Sequence, residues 1–210
     1  ETFFEGSLHS ISLFFKKGVL SSYNFADEFC QVYKFAVDTS FSPSLLPELT
    51  KKDIIKDITV FANQINYTNG MLHIQFIYAK GEYQFIECMM RSPGDMYPYM
   101  IENSVKENFS FNYLNSFCDF YLDKYQEKNI ENNKEIKYVG RKTLCLNYQT
   151  KFKNFLSLSD LPVEIFPLAQ TGDSIREAPY GKSALVFFFT KSYDNLKSFL
   201  DTSAEKWIGK

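Results

Sequence analysis

Twenty-two phenylalanines and fourteen tyrosines stand among 210 residues, beside a single tryptophan and two histidines. Each ring buries a large apolar area with few rotors to freeze, so a chain this rich in them must close around a well-filled core. The load constrains the build and names no chemistry. Hydrophobic residues at 45% and charged residues at 23% are those of a globular chain rather than a disordered one. The apolar runs, such as 72–79 and 184–190, are strand-sized, so no membrane span is expected.

The charge pattern argues against nucleic acid. Net charge is −2, and the 23 basic residues include three arginines, Arg91, Arg141 and Arg176. Lysines and acids interleave, as in Lys51, Lys52, Asp53, Lys56 and Asp57, whereas nucleic-acid readers concentrate Arg and Lys on one face. Cys30, Cys88, Cys118 and Cys145 are scattered, with no Cys-x-x-Cys and no Cys/His grouping, so neither a metal nor a cofactor is expected. Each lies in or beside an apolar run, as a free buried thiol would. That favours an intracellular setting, while the sequons at Asn66 and Asn108 keep an exported form open.

Periodicity predicts a helix over 7–17, with Leu8, Ile11 and Phe15 on one face and Gly18 as its stop. A second helix is predicted over 23–37 from the stripe Phe25, Phe29, Val32, Tyr33 and Ala36. After the proline-interrupted segment 41–47, Ile54, Ile58, Phe61, Ala62 and Ile65 carry a third, and a strand over 57–67 is the rival reading. Alternation over 71–79, the turn at Lys80-Gly81-Glu82 and the return over 83–90 predict a hairpin. Helices are predicted from Pro98 to about 107 and over 111–125, with 126–134 as a polar loop. Strands follow at 136–148, 152–158, 163–169 and 184–189, then a closing helix capped by Ser192 with Leu196, Phe199, Leu200 and Trp207 on one face. The expectation is one α+β domain over 1–210: an antiparallel sheet of five or six strands with N-terminal, central and C-terminal helices packed on one side of it.

Candidate sites are few. Tyr180-Gly181-Lys182-Ser183 has the tail of a phosphate loop, but Arg176 stands where the first glycine belongs and a strand follows where a helix is needed. The loop containing Asp173, Ser174, Arg176 and Glu177 packs polar groups between apolar strands, with Arg176 as the anchor for any carboxylate. Met96, Tyr97 and Tyr99 form a second candidate rim, since methionine and tyrosine surfaces adapt to varied partners. Cys88, His73 and Glu87 fall on paired strands, but nothing in the spacing sets a catalytic geometry. These features lead to a non-enzymatic protein-interaction or assembly module that binds another protein or a second copy of the chain. The alternative is a carrier or sensor of a small apolar ligand in an aromatic-lined pocket.

Overall fold

Phe14 and Phe15 are neighbours in sequence, both shielded from solvent, and they point into different cores. Only an extended chain with both faces covered does that. The computed structural model, which describes residues 4–105, 108–117, 137–156 and 162–209, makes this segment a strand, β1 (Ser7–Lys16), paired with β2 (Val19–Phe29) through the Lys17-Gly18 turn. Both turn residues have positive φ, 52° and 76°, which a two-residue hairpin turn requires. The helices expected over 7–17 and 23–37 are therefore corrected to a hairpin. Ile11, Leu13 and Phe15 alternate with Ser10, Ser12 and Phe14, but apolar residues on both faces also mimic a helical stripe.

The chain continues through β3 (Thr39–Ser42), α1 (Glu48–Gln64), β4 (Gly70–Ala79), β5 (Glu82–Met89), α2 (Tyr97–Val105), α3 (Phe109–Phe117), β6 (Tyr138–Leu144), β7 (Thr150–Lys151), β8 (Asn154–Phe155), β9 (Val163–Pro167), β10 (Ser174–Ile175), β11 (Ala184–Thr190), α4 (Tyr193–Asp201) and β12 (Ile208–Gly209). Eight strands form one antiparallel sheet in the order β5-β4-β1-β2-β3-β6-β11-β9. The α+β class is as expected and the sheet is larger, because β1, β2 and β3 join it. The β4–β5 hairpin and α1 stand where the sequence placed them. The predicted 126–134 loop lies outside the described residues, as does the second half of the 111–125 helix.

Helices cover both faces of the sheet, not one. On the first, Ile54 and Ile58 of α1 pack on Ile11, Leu13, Leu72 and Phe76, while Leu196 and Phe199 of α4 pack on Val186 and Phe188. On the second, Tyr97, Met100 and Ile101 of α2 and Phe109 of α3 pack on Phe14, Met71, Val139 and Phe187. The side chain of Ser192 caps α4 as predicted, but α4 ends at Asp201. Trp207 reaches the core after a short 3-10 turn instead, edge-on to Phe199. At Gly140 a Cβ would stand 2.9 Å from both Leu196 and Phe199, so the glycine lets α4 lie close on the sheet.

Truncating a fully enclosed ring leaves a cavity the packing cannot close. Phe187→Ala, at a side chain 0% exposed, is expected to lower the unfolding free energy by about 3–5 kcal/mol. Phe35→Ser, at a side chain 78% exposed, should change it by less than about 0.5 kcal/mol. Urea titration of the two variants checks both.

Candidate active-site cleft

A polar row crosses the otherwise apolar second face of the sheet. Strand register places Glu87 beside Gln75, Gln75 beside Ser10, Glu28 beside Ser40, and Ser40 beside Arg141. All lie on strands whose alternation turns them towards the side of α2. The row opens into a cleft of about 230 Å³ lined by Glu28, His73, Gln75, Arg91, Asp95, Tyr97, Arg141 and Lys182, among others.

Arg141 organises it. Its guanidinium is almost fully buried, which is tolerated only with partners. Nε donates to Ser40 Oγ at 2.9 Å, Nη1 donates to the Asp95 carbonyl at 3.2 Å, and the Asp95 carboxylate stands 4.0 Å away. Asp95 also accepts from Lys182 Nζ at 2.6 and 2.8 Å and from Thr143 Oγ1 at 3.1 Å. Burial works to raise the Asp95 carboxyl, but the Lys182 bond and the Arg141 charge outweigh it and hold the group below its ordinary range.

Glu28 accepts from Gln75 Nε2 at 2.5 Å. Burial raises its pKa, against the pull of Ser10, Arg141 and Gln75. His73 bonds through Nδ1 to Ser12 Oγ at 2.9 Å, and Tyr97 Oη lies 3.0 Å from Ser10 Oγ. Burial, with Arg91 and Arg141 adding to it, brings His73 down to about 4, so the ring is neutral at pH 7. Arg91 and Lys182 stand at the exposed rim. With Arg141 they give the cleft three cationic groups against the carboxylates of Glu28 and Asp95. A small anion is the ligand this arrangement attracts.

Of the seven residues offered from sequence as ligand or partner contacts, Tyr97 lines this cleft and the other six stand outside its lining, whereas His73 and Lys182, set aside with motifs that fail, both line it. Asp173 bonds the Gln170 amide, Ser174 accepts from Gln149 Nε2 at 3.1 Å, and Arg176 lies over the Tyr180 ring. The Glu177 carbonyl accepts from the Tyr180 amide at 3.1 Å. The Met96 side chain packs on the α2 core, and the Tyr99 hydroxyl donates to Glu164. His73 and Glu87 face the cleft side of the sheet, whereas Cys88 pairs with Ile74 on the other side, so no Cys-His-Glu set assembles. Cys30, Cys88 and Cys145 are free thiols, Cys88 being exposed rather than buried. Cys118 lies outside the described residues. The phosphate-loop tail does lead into a strand, as expected, and Lys182 within it reaches Asp95.

Glu28 and Arg141 were missed. The helical reading of 23–37 set Glu28 apart from the apolar stripe, and Arg141, named only as one of three arginines, was given no role in its predicted strand. The available signal was Arg141 itself, a charged residue in the middle of an otherwise strand-forming run.

Neither a protein-family model nor a curated protein sequence matches the chain. Solved structures do match in fold. The L-amino acid ligase from Bacillus licheniformis superposes with a TM-score of 0.77 at 17% identity, covering 99% of this chain and 52% of that one. Phosphoribosylglycinamide synthetase from Anaerococcus prevotii gives 0.72 at 13%, covering 99% and 54%. The biotin carboxylase domain dimer of Hydrogenobacter thermophilus 2-oxoglutarate carboxylase, in complex with MgADP, ADP and bicarbonate, gives 0.68 at 13%, covering 97% and 46%. The chain thus has a fold seen in ligases and carboxylases and spans about half the length of each. That overturns the expectation of a non-enzymatic interaction or assembly module, and of its carrier alternative. The expectation failed because it rested on missing motifs, and carboxylates and cations that meet only in space leave none.

His73 binds a proton in the unfolded chain near 6.5 but in the fold only near 4. Its contribution to stability is therefore complete above pH 6.5 and lost as pH falls towards 4, by about 3 kcal/mol at most. Glu28, whose carboxyl is raised, contributes with the opposite sign. The quantity to measure is the difference between native and His73→Gln urea stabilities across pH 7 to 4. The native chain should lose stability relative to the variant as acid is added, and parallel profiles would contradict the burial account.

Proposed function

We propose that this chain is part of an ATP-grasp ligase-type enzyme and that the Arg141 cleft receives an anionic reactant, the phosphates of a nucleotide first. The fold it shares with amino-acid, phosphoribosylglycinamide and bicarbonate-handling enzymes supports this. The observation that carries the reading is the buried Arg141 beside rim cations Arg91 and Lys182, at the end of a polar row crossing an apolar sheet. Buried charge of this kind costs stability even when paired, and such groups cluster at functional sites. Nucleotide phosphates, amino-acid carboxylates and bicarbonate all bear negative charge, and a guanidinium grips phosphate or carboxylate in a planar fork.

A second copy of the chain remains the expected partner within this reading, in keeping with the dimer named for the Hydrogenobacter domain.

Arg91 is the informative variant, because it stands at the exposed rim and can be changed without opening the core. Arg91→Gln is expected to weaken ADP binding about tenfold or more, the loss of one charge-assisted contact. Its urea midpoint should match that of the native chain. Isothermal titration calorimetry checks the first statement and denaturation the second. Undiminished binding by the variant would remove Arg91 from the site.

A further inference from the structure

The inference here rests on the anion-binding reading above and concerns how the anion is held. Magnesium accompanies ADP in the complex named for the Hydrogenobacter domain. Magnesium demands near-octahedral oxygen ligands and is held through carboxylates, and the donor set of this cleft does not fit it. Asp95 turns both carboxylate oxygens to Lys182. Glu28 faces the amide nitrogen of Gln75 and the field of Arg141.

Gln75 sits between the two acids of the row, bonded to Glu28 on one side and paired across strands with Glu87 on the other. An uncharged amide therefore occupies the position where a third carboxylate would complete an oxygen cluster. Next along the edge, Met89 pairs with His73, offering a thioether, which is too soft for magnesium. Among the described residues no group of three or more His, Cys, Asp or Glu could hold a metal ion.

The positive charge a metal would bring is already present on side chains. We propose that the cleft binds phosphate directly on Arg91, Arg141 and Lys182 with no bridging divalent cation, and that Gln75 is the residue that keeps the cation out. An ammonium has three donors, so Lys182 can keep its two bonds to Asp95 and turn the third donor to a phosphate oxygen.

Two measurements test this. In calorimetric titrations of the native chain with ADP, the apparent affinity in EDTA should equal or exceed that in excess magnesium, which withdraws ADP as its magnesium complex. Binding seen only with magnesium, or tightened about tenfold or more by it, would overturn the inference while leaving the proposed function standing. Absence of ADP binding in both buffers would overturn both. In the second, electron paramagnetic resonance follows free Mn²⁺ alone. The native chain should leave its signal unchanged and Gln75→Glu should deplete it. Depletion by the native chain, or none by Gln75→Glu, would contradict the role given to Gln75.

Discussion

A guanidinium buried in a β-sheet is the constraint around which the rest of this molecule is arranged. Arg141 stands on β6 with Val139 on the same face, and Val139 belongs to the apolar core under α2. Taking that charge out of water is tolerable only where hydrogen-bond acceptors and carboxylates meet it, and removing one partner of such a group costs about 3–5 kcal/mol. The sheet order supplies them: β3 brings Ser40 alongside, β2 brings Glu28, and the turn before α2 brings Asp95. Strands β2 and β3 and the turn before α2 thus meet the same requirement that forms the cleft.

The same network divides the work among the cleft's ionisable groups. Asp95, held low by Lys182 and Arg141 against its burial, stays charged and anchors the cations. Glu28, raised by burial, is the softer acid, and His73 is kept neutral. Burial dominates at Glu28 and His73 and cationic partners at Asp95, so one small cleft holds a carboxyl kept low, a carboxyl pushed up and an uncharged ring. Such separation marks sites built to handle a charged ligand more often than sites built only to hold a fold.

What the sequence disclosed and what it hid have physical causes. The β4–β5 hairpin was legible because β5 is an edge strand and its turn carries Gly81 at a φ of 92°. Helix α1 was legible because Ile54, Ile58 and Ala62 keep helical spacing on one buried face. Strands β1 and β2 were not, because both faces of β1 are covered and Phe14 and Phe15 break the alternation that signals a strand. Losing β2 lost Glu28 with it. Lys182 was set aside with a motif that fails, although its contact is with Asp95, 87 positions away. No local pattern encodes a pairing at that distance, so the cleft became visible only once the register of the sheet was known.

The most direct test of the central claim is a two-dimensional amide NMR titration with ADP. If the Arg141 cleft receives the phosphates, shift changes should cluster at the backbone amides of Glu28, Gln75, Asp95, Tyr97 and Arg141 and saturate together. Changes confined to the loop around Asp173 to Glu177, or none at any concentration, would contradict the account.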